Sequence, residues 1–168
     1  KEPCNMNQTR TLKVVQGAML AALVFAATYV IKIPSPTNGY VNLGDCFVLL
    51  SGWLLGPLYG AAAGGIGSAL TDLLSGYAHY VPGTLVIKGL VAFTAATLHH
   101  VLQKSSAGLW ISGFIGECIM VVGYFFYSSI LLGKGIAAAA SIPGNIVQSI
   151  VGIVTAVALM KVIQKSRL

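Results

Sequence analysis

The chain has 168 residues, 56% hydrophobic and only 8% charged, and its mean hydropathy is +0.83. So short a chain cannot bury that much apolar surface in a water-soluble domain, so the composition is that of a multi-span membrane protein. The net charge of +6 does not indicate nucleic acid: the basic residues gather at chain ends and loops, and no nucleic-acid-binding motif is present.

Lys1 to Asn5 read as residues added ahead of a native start near Met6, and residues 1–10 as a cytoplasmic tail. Residues 11–168 then form one all-α domain, a six-transmembrane-helix integral membrane bundle. The first span is expected over Leu12 to Ile33. It is too long for the apolar region of a cleaved signal and meets Lys32-Ile33-Pro34 rather than a small-residue cleavage site. Pro34 to Gly39 make a turn-rich loop. Span two, Leu43 to Leu55, is short and stops at Gly56-Pro57. Span three covers Leu58 to Gly76, and Tyr77 to Tyr80 form a polar aromatic loop. Span four begins at Pro82, a residue suited to a first helical turn, and ends near Leu102. Span five runs from Leu109 to Leu132. Span six runs from Ala138 to Ile163, with Pro143 near its start.

The positive-inside rule orients the bundle. With both ends cytoplasmic, Lys1, Arg10, Lys13, Lys104, Lys161, Lys165 and Arg167 lie inside, and only Lys32 and Lys134 outside. Span two must then be a crossing. Most intramembrane polar residues fall in the outer half, while Glu117 lies a little to the cytoplasmic side of the middle. That distribution implies a ligand cavity open to the outside. A continuous channel or facilitator would need a polar path through the inner half.

There are four acidic residues, and a carboxylate within a span is expensive unless it faces a cavity or a partner charge. Asp72 and Lys88 are expected at similar depth on adjacent helices, as an ion pair. Gly60, Gly64 and Ser68 form a small-residue ridge that brings span three against a neighbour, which the short connecting loop suggests is span four. Asn42 and Asp45 open span two, either as helix-capping groups or as the cavity mouth. Tyr77, His79 and Tyr80 are interfacial anchors or a stacking surface for a flat ring. Asn145 and Gln148 share a face of span six, available to a ligand or to a neighbouring helix. Asn42, Asp45, Tyr80, Lys88, Glu117, Tyr124, Asn145 and Gln148 are the candidate ligand-binding residues.

Adjacent His99 and His100 point in different directions and do not suggest a metal site. Cys4, Cys46 and Cys118 show no CxxC spacing and no disulfide framework. No phosphate-binding loop and no hydrolase or metalloprotease motif occurs. No cofactor, metal or catalytic residue is expected. An intramembrane enzyme using Asp72, Glu117 or His79 would lack a recognisable nucleophile–base pattern.

The run Gly39-Tyr40-Val41-Asn42-Leu43-Gly44-Asp45, then Gly56-Pro57-Leu58-Tyr59-Gly60, Gly64 to Tyr77, and Pro82-Gly83-Thr84-Leu85-Val86-Ile87-Lys88-Gly89, resembles the S component of an energy-coupling factor (ECF) transporter. It is most similar to the branch with pyridoxine, hydroxymethylpyrimidine and riboflavin components. The resemblance implies a six-helix vitamin-binding subunit that works with a transmembrane coupling subunit and two cytoplasmic ATPase subunits. It also implies a docking role for Ala18, Ala22 and Ala26, which recur every fourth residue on span one; without it they would be ordinary packing. The expected substrate is a small heterocycle, pyridoxine or hydroxymethylpyrimidine, with riboflavin as the alternative.

Overall fold

The computed structural model describes residues 6–35 and 39–166. The expectations for Lys1 to Asn5, for Arg167 and for the tip of the first loop lie outside these. Helix α1 spans Met6–Val30 and is followed by two short strands, β1 (Lys32–Ser35) and β2 (Gly39–Asn42). Helices α2 (Gly44–Leu55), α3 (Pro57–Leu74), α4 (Val81–Val101), α5 (Ser106–Phe126) and α6 (Ile142–Ser166) complete the bundle. A single 3₁₀ turn, Ala78–Tyr80, precedes α4. A π-helical turn, Tyr127–Leu131, follows α5, and a 3₁₀ segment, Gly135–Ser141, leads into α6.

Among the described residues the framework is thus all-α, with six α-helices. Four helical segments, Arg10–Val30, Ala78–Val101, Ser106–Leu131 and Gly135–Ser166, are long and apolar enough to cross a membrane. At about 1.5 Å per residue, the 12 residues of α2 reach roughly 18 Å. Helix α3 has 18 residues, but its glycines and Asp72 dilute its hydropathy. The bundle's outer surface is apolar, with Val30, Leu58 and Ile130 largely exposed, as suits a lipid-facing side.

The first span ends earlier than expected, at Val30 rather than Ile33. Pro34 disfavours helical geometry at the residue before it, so the chain turns extended at Lys32. Lys32 pairs with Asn42 and Ile33 with Val41 in an antiparallel hairpin where the sequence suggested only a loop. The Lys32 ammonium lies 4.2 Å from the Tyr29 ring centroid and donates to Ser75 Oγ. That ties the hairpin to the end of α3.

Consecutive helices run antiparallel, and glycines let them touch. A Cβ on Gly60 would lie 2.6 Å from Gly52 Cα, and one on Gly52 would lie 2.3 Å from the Ala92 carbonyl oxygen. On another face of α3, a Cβ on Gly65 would meet the Leu85 carbonyl at 2.7 Å. The Gly60/Gly64 ridge therefore packs internally, as expected, but chiefly against α2. The face bearing Ala61 and Gly65 meets α4 instead. Gly56 makes the α2–α3 turn possible: its φ of 83° is a conformation that side chains disfavour. Val24, Val48, Leu49, Val91, Leu109, Met120 and Val157 fill the core between these contacts.

This alternation sorts the connections. The β-hairpin and the α3–α4 and α5–α6 links gather at one end, where Tyr127 Oη donates to the His79 carbonyl at 2.7 Å. The start of α1, the end of α6 and the α2–α3 and α4–α5 turns lie at the other. Ser105 caps α5 there by accepting the Gly108 N–H at 3.0 Å.

Candidate functional site

Asp45 is the second residue of α2 and has no exposed surface. Its carboxylate does not cap its own helix. One oxygen, Oδ1, accepts from the Lys88 ammonium of α4 in a buried ion pair. The other, Oδ2, accepts from the Gln148 amide of α6 at 2.5 Å. The Gln148 oxygen in turn accepts the backbone N–H of Asn42 at 2.8 Å, and Asn42 Oδ1 accepts the Gly44 N–H at 2.8 Å. Four elements, β2, α2, α4 and α6, are joined by this network. Thr28 of α1 packs against Gly44 with its hydroxyl buried and without a hydrogen-bond partner among the described residues.

The expected Asp72–Lys88 pair does not form. A short loop joins α3 and α4, but the approach of Gly52 to Ala92 seats α2 on α4 and delivers Asp45 to Lys88. Asp72 is buried in the last turn of α3, where its charge acts on the Lys32 ammonium. Burial pulls the Lys32 pKa below its ordinary value, and Asp72 opposes that shift.

Glu117 of α5 faces the same cluster, within electrostatic reach of Asp45 and Lys88. It is 1% exposed, and neither carboxyl oxygen has a hydrogen-bond partner among the described residues. Ser149 stands beside it but turns its hydroxyl to the Asn145 carbonyl, at 2.8 Å. Such orphaned buried groups are uncommon in folded proteins.

Between this cluster and the hairpin end lies an aromatic layer. The Tyr124 ring centroid is 5.6 Å from Lys88 Nζ, and its hydroxyl donates to Thr84 Oγ1 at 3.0 Å. Tyr80 sits 6.3 Å from Tyr124 and 6.1 Å from Tyr127, centroid to centroid. The Tyr80 hydroxyl meets Ser128 Oγ at 3.1 Å and accepts from Lys134 Nζ at 2.9 Å.

Of the sequence candidates, Asn42, Asp45, Lys88 and Gln148 form one bonded network. Glu117 and Tyr124 adjoin it, and Tyr80 adjoins Tyr124. Asn145 is half-buried, with its side chain outside that network. Sequence reasoning did not single out Thr28, Thr84 or Ser149; only Thr84 left a trace, one helical turn before Lys88. A groove of about 440 Å³ between α4 and α5 is lined by apolar residues such as Val86, Phe126 and Leu131. It includes none of the polar cluster.

The sequence model describing the ECF-type riboflavin transporter, S component, matches residues 8–165. The chain belongs to this S-component family. An uncharacterised protein of Pyrococcus woesei is 35% identical over 146 residues, covering 84% of this chain and 95% of the relative. The thiamine precursor transporter HmpT of Lactococcus lactis subsp. cremoris (strain MG1363) is 28% identical over 163 residues, covering 96% of this chain and 93% of HmpT. Among solved structures, the S component of a bacterial ECF transporter superposes with a TM-score of 0.68 at 19% identity, covering 93% of this chain and 97% of that one. The S component for biotin from an ECF-type ABC transporter gives 0.56 at 22% identity, covering 93% and 94%. At those identities the two structures establish the S-component fold alone. This S component is thus a multi-pass membrane transport subunit of the vitamin-binding type that works with an ECF module, and it is not an enzyme.

Proposed function

We propose that this S component captures a small heterocyclic vitamin or vitamin precursor, pyridoxine or hydroxymethylpyrimidine, from outside the cell. The ligand would sit near the hairpin end of the bundle, among Asn42, Asp45, Tyr80, Lys88, Glu117, Tyr124, Asn145 and Gln148. One observation carries the reading: the Asp45–Lys88–Gln148 network, with Glu117 beside it, lies in an otherwise apolar interior beneath a layer of tyrosines. Apolar and aromatic walls with a few directional polar groups suit a compact flat ring. HmpT, described as a thiamine precursor transporter, lends weight to the pyrimidine.

The bundle crosses the membrane six times in this proposal, with both termini cytoplasmic. Support comes from the even number of helices and from the charges: Arg10, Lys13, Lys104, Lys161 and Lys165 lie toward one end, Lys32 and Lys134 toward the other. The energy comes from a transmembrane coupling subunit carrying two cytoplasmic ATPases. Ala18, Ala22 and Ala26 are exposed along α1 and offer that subunit a flat face.

Riboflavin is the second reading, favoured by the description of the matching family. Mass spectrometry of small molecules released from the purified protein tests both. A bound pyridine or pyrimidine supports the first and a flavin the second. A protein that releases no heterocycle, and binds none when pyridoxine, hydroxymethylpyrimidine and riboflavin are added, refutes vitamin capture.

A further inference from the structure

Glu117 poses a problem of charge. The Lys88 ammonium is already committed to Asp45, so that pair is neutral by itself. Glu117 adds a carboxyl group with no cation of its own and no hydrogen bond within the described protein. A buried carboxyl with two idle oxygens opposes folding. Pairing with a ligand removes that cost, and the nearby Asp45, Lys88 and Ser149 place the group within the proposed binding region.

We infer that Glu117 is the specificity-determining residue for a ring with an amidine-type edge, a ring nitrogen beside an exocyclic amino group, as in an aminopyrimidine. This rests on the vitamin-capture reading and deepens it. A carboxyl group is a planar two-point partner. As the acid, it donates its O–H to the ring nitrogen and accepts an amino N–H. As the carboxylate, it accepts two N–H bonds from the ring-protonated ligand. In either form one proton is shared between ring and carboxyl, so the interior gains no net charge. A pair of ligand hydroxyls could also satisfy the two oxygens, but would leave an ionised Glu117 unbalanced, a costly state in a membrane interior.

The test uses the purified full chain in detergent and isothermal titration. The probes are amino-bearing hydroxymethylpyrimidine, its analogue with hydrogen in place of the amino group, pyridoxine and riboflavin. The amino compound should bind about tenfold or more tighter than the analogue, because a site built to pair a polar group rejects a ligand lacking it. Glu117→Met should shrink that preference to about twofold or less, within the range of an ordinary side-chain contact. Without ligand, this variant should unfold at a temperature no lower than the parent, since it removes an unpaired buried carboxyl. A Glu117→Met protein that keeps the amino preference overturns the assignment. Binding of pyridoxine or riboflavin in place of the amino compound overturns it too, but leaves vitamin capture standing. Binding of none of the four overturns both.

Discussion

Gln148 grips Asp45 and is itself held by the chain next to it: its amide nitrogen donates to Asp45 Oδ2 at 2.5 Å while its oxygen accepts the Asn42 N–H at 2.8 Å. This joins α6 directly to the junction between the hairpin and α2. Gln148→Leu should strand one carboxylate oxygen and one buried N–H together. Losing a hydrogen bond to a charged group costs about 1.5–3 kcal/mol, so the unfolding temperature should drop and ligand affinity fall several-fold. Calorimetry and titration on one preparation check both.

The Asp45–Lys88 pair should behave as a unit. Asp45→Asn or Lys88→Met alone leaves a buried charge without its partner, at a cost of roughly 3–5 kcal/mol. The double variant should be more stable than either single one. Additive losses in a double-mutant cycle would show that the two charges do not support each other.

The pairing also shows where the sequence was and was not legible. Six helices, their order and most of their breaks follow from hydropathy, Gly56-Pro57 and Pro82, because these act locally. Counting residue depth along each span put Asp45, Lys88 and Gln148 at one level, and they do meet. Partner choice did not follow. Asp72 and Lys88 are neighbours along the chain, but Asp45 reaches Lys88 because Gly52 allows α2 to lie on α4, and nothing near Asp45 in the sequence encodes that contact. The hairpin was missed for a similar reason: strands of four residues are too short to establish a period.

Gly52→Ala should be among the most damaging single-methyl changes in the chain. The added carbon would stand 2.3 Å from the Ala92 carbonyl oxygen, and its nearest neighbours are all Ala92 backbone atoms rather than a flexible side chain that could yield. Overpacking of this kind costs about 1–3 kcal/mol or more. Gly89→Ala is the control: its new carbon would meet the Ala61 carbonyl at 3.5 Å, an ordinary contact. Parallel thermal melts should separate the two variants clearly.

The alanine face of α1 makes a separable prediction. Ala22 is exposed on the bundle and lies away from the polar cluster. Ala22→Trp should therefore leave titrated ligand affinity unchanged while preventing co-purification with the coupling subunit. Loss of ligand affinity with normal assembly would assign the ridge to the bundle's own packing.

Where α2, α3 and α4 meet through glycine, backbone lies on backbone. Side chains elsewhere can swing aside to admit a guest, but a carbonyl pressed against an α-carbon has no torsion to spend. These three helices form a fixed wall, and Asp45 and Lys88 are mounted on it. On the proposed capture reading, a molecule reaching them would have to displace what is packed around that wall: the hairpin clasped to Ser75, the tyrosine layer, or α6 with its hold on Asn42. Entry on that reading would require whole segments to move, at a rate set by how readily those few clasps let go.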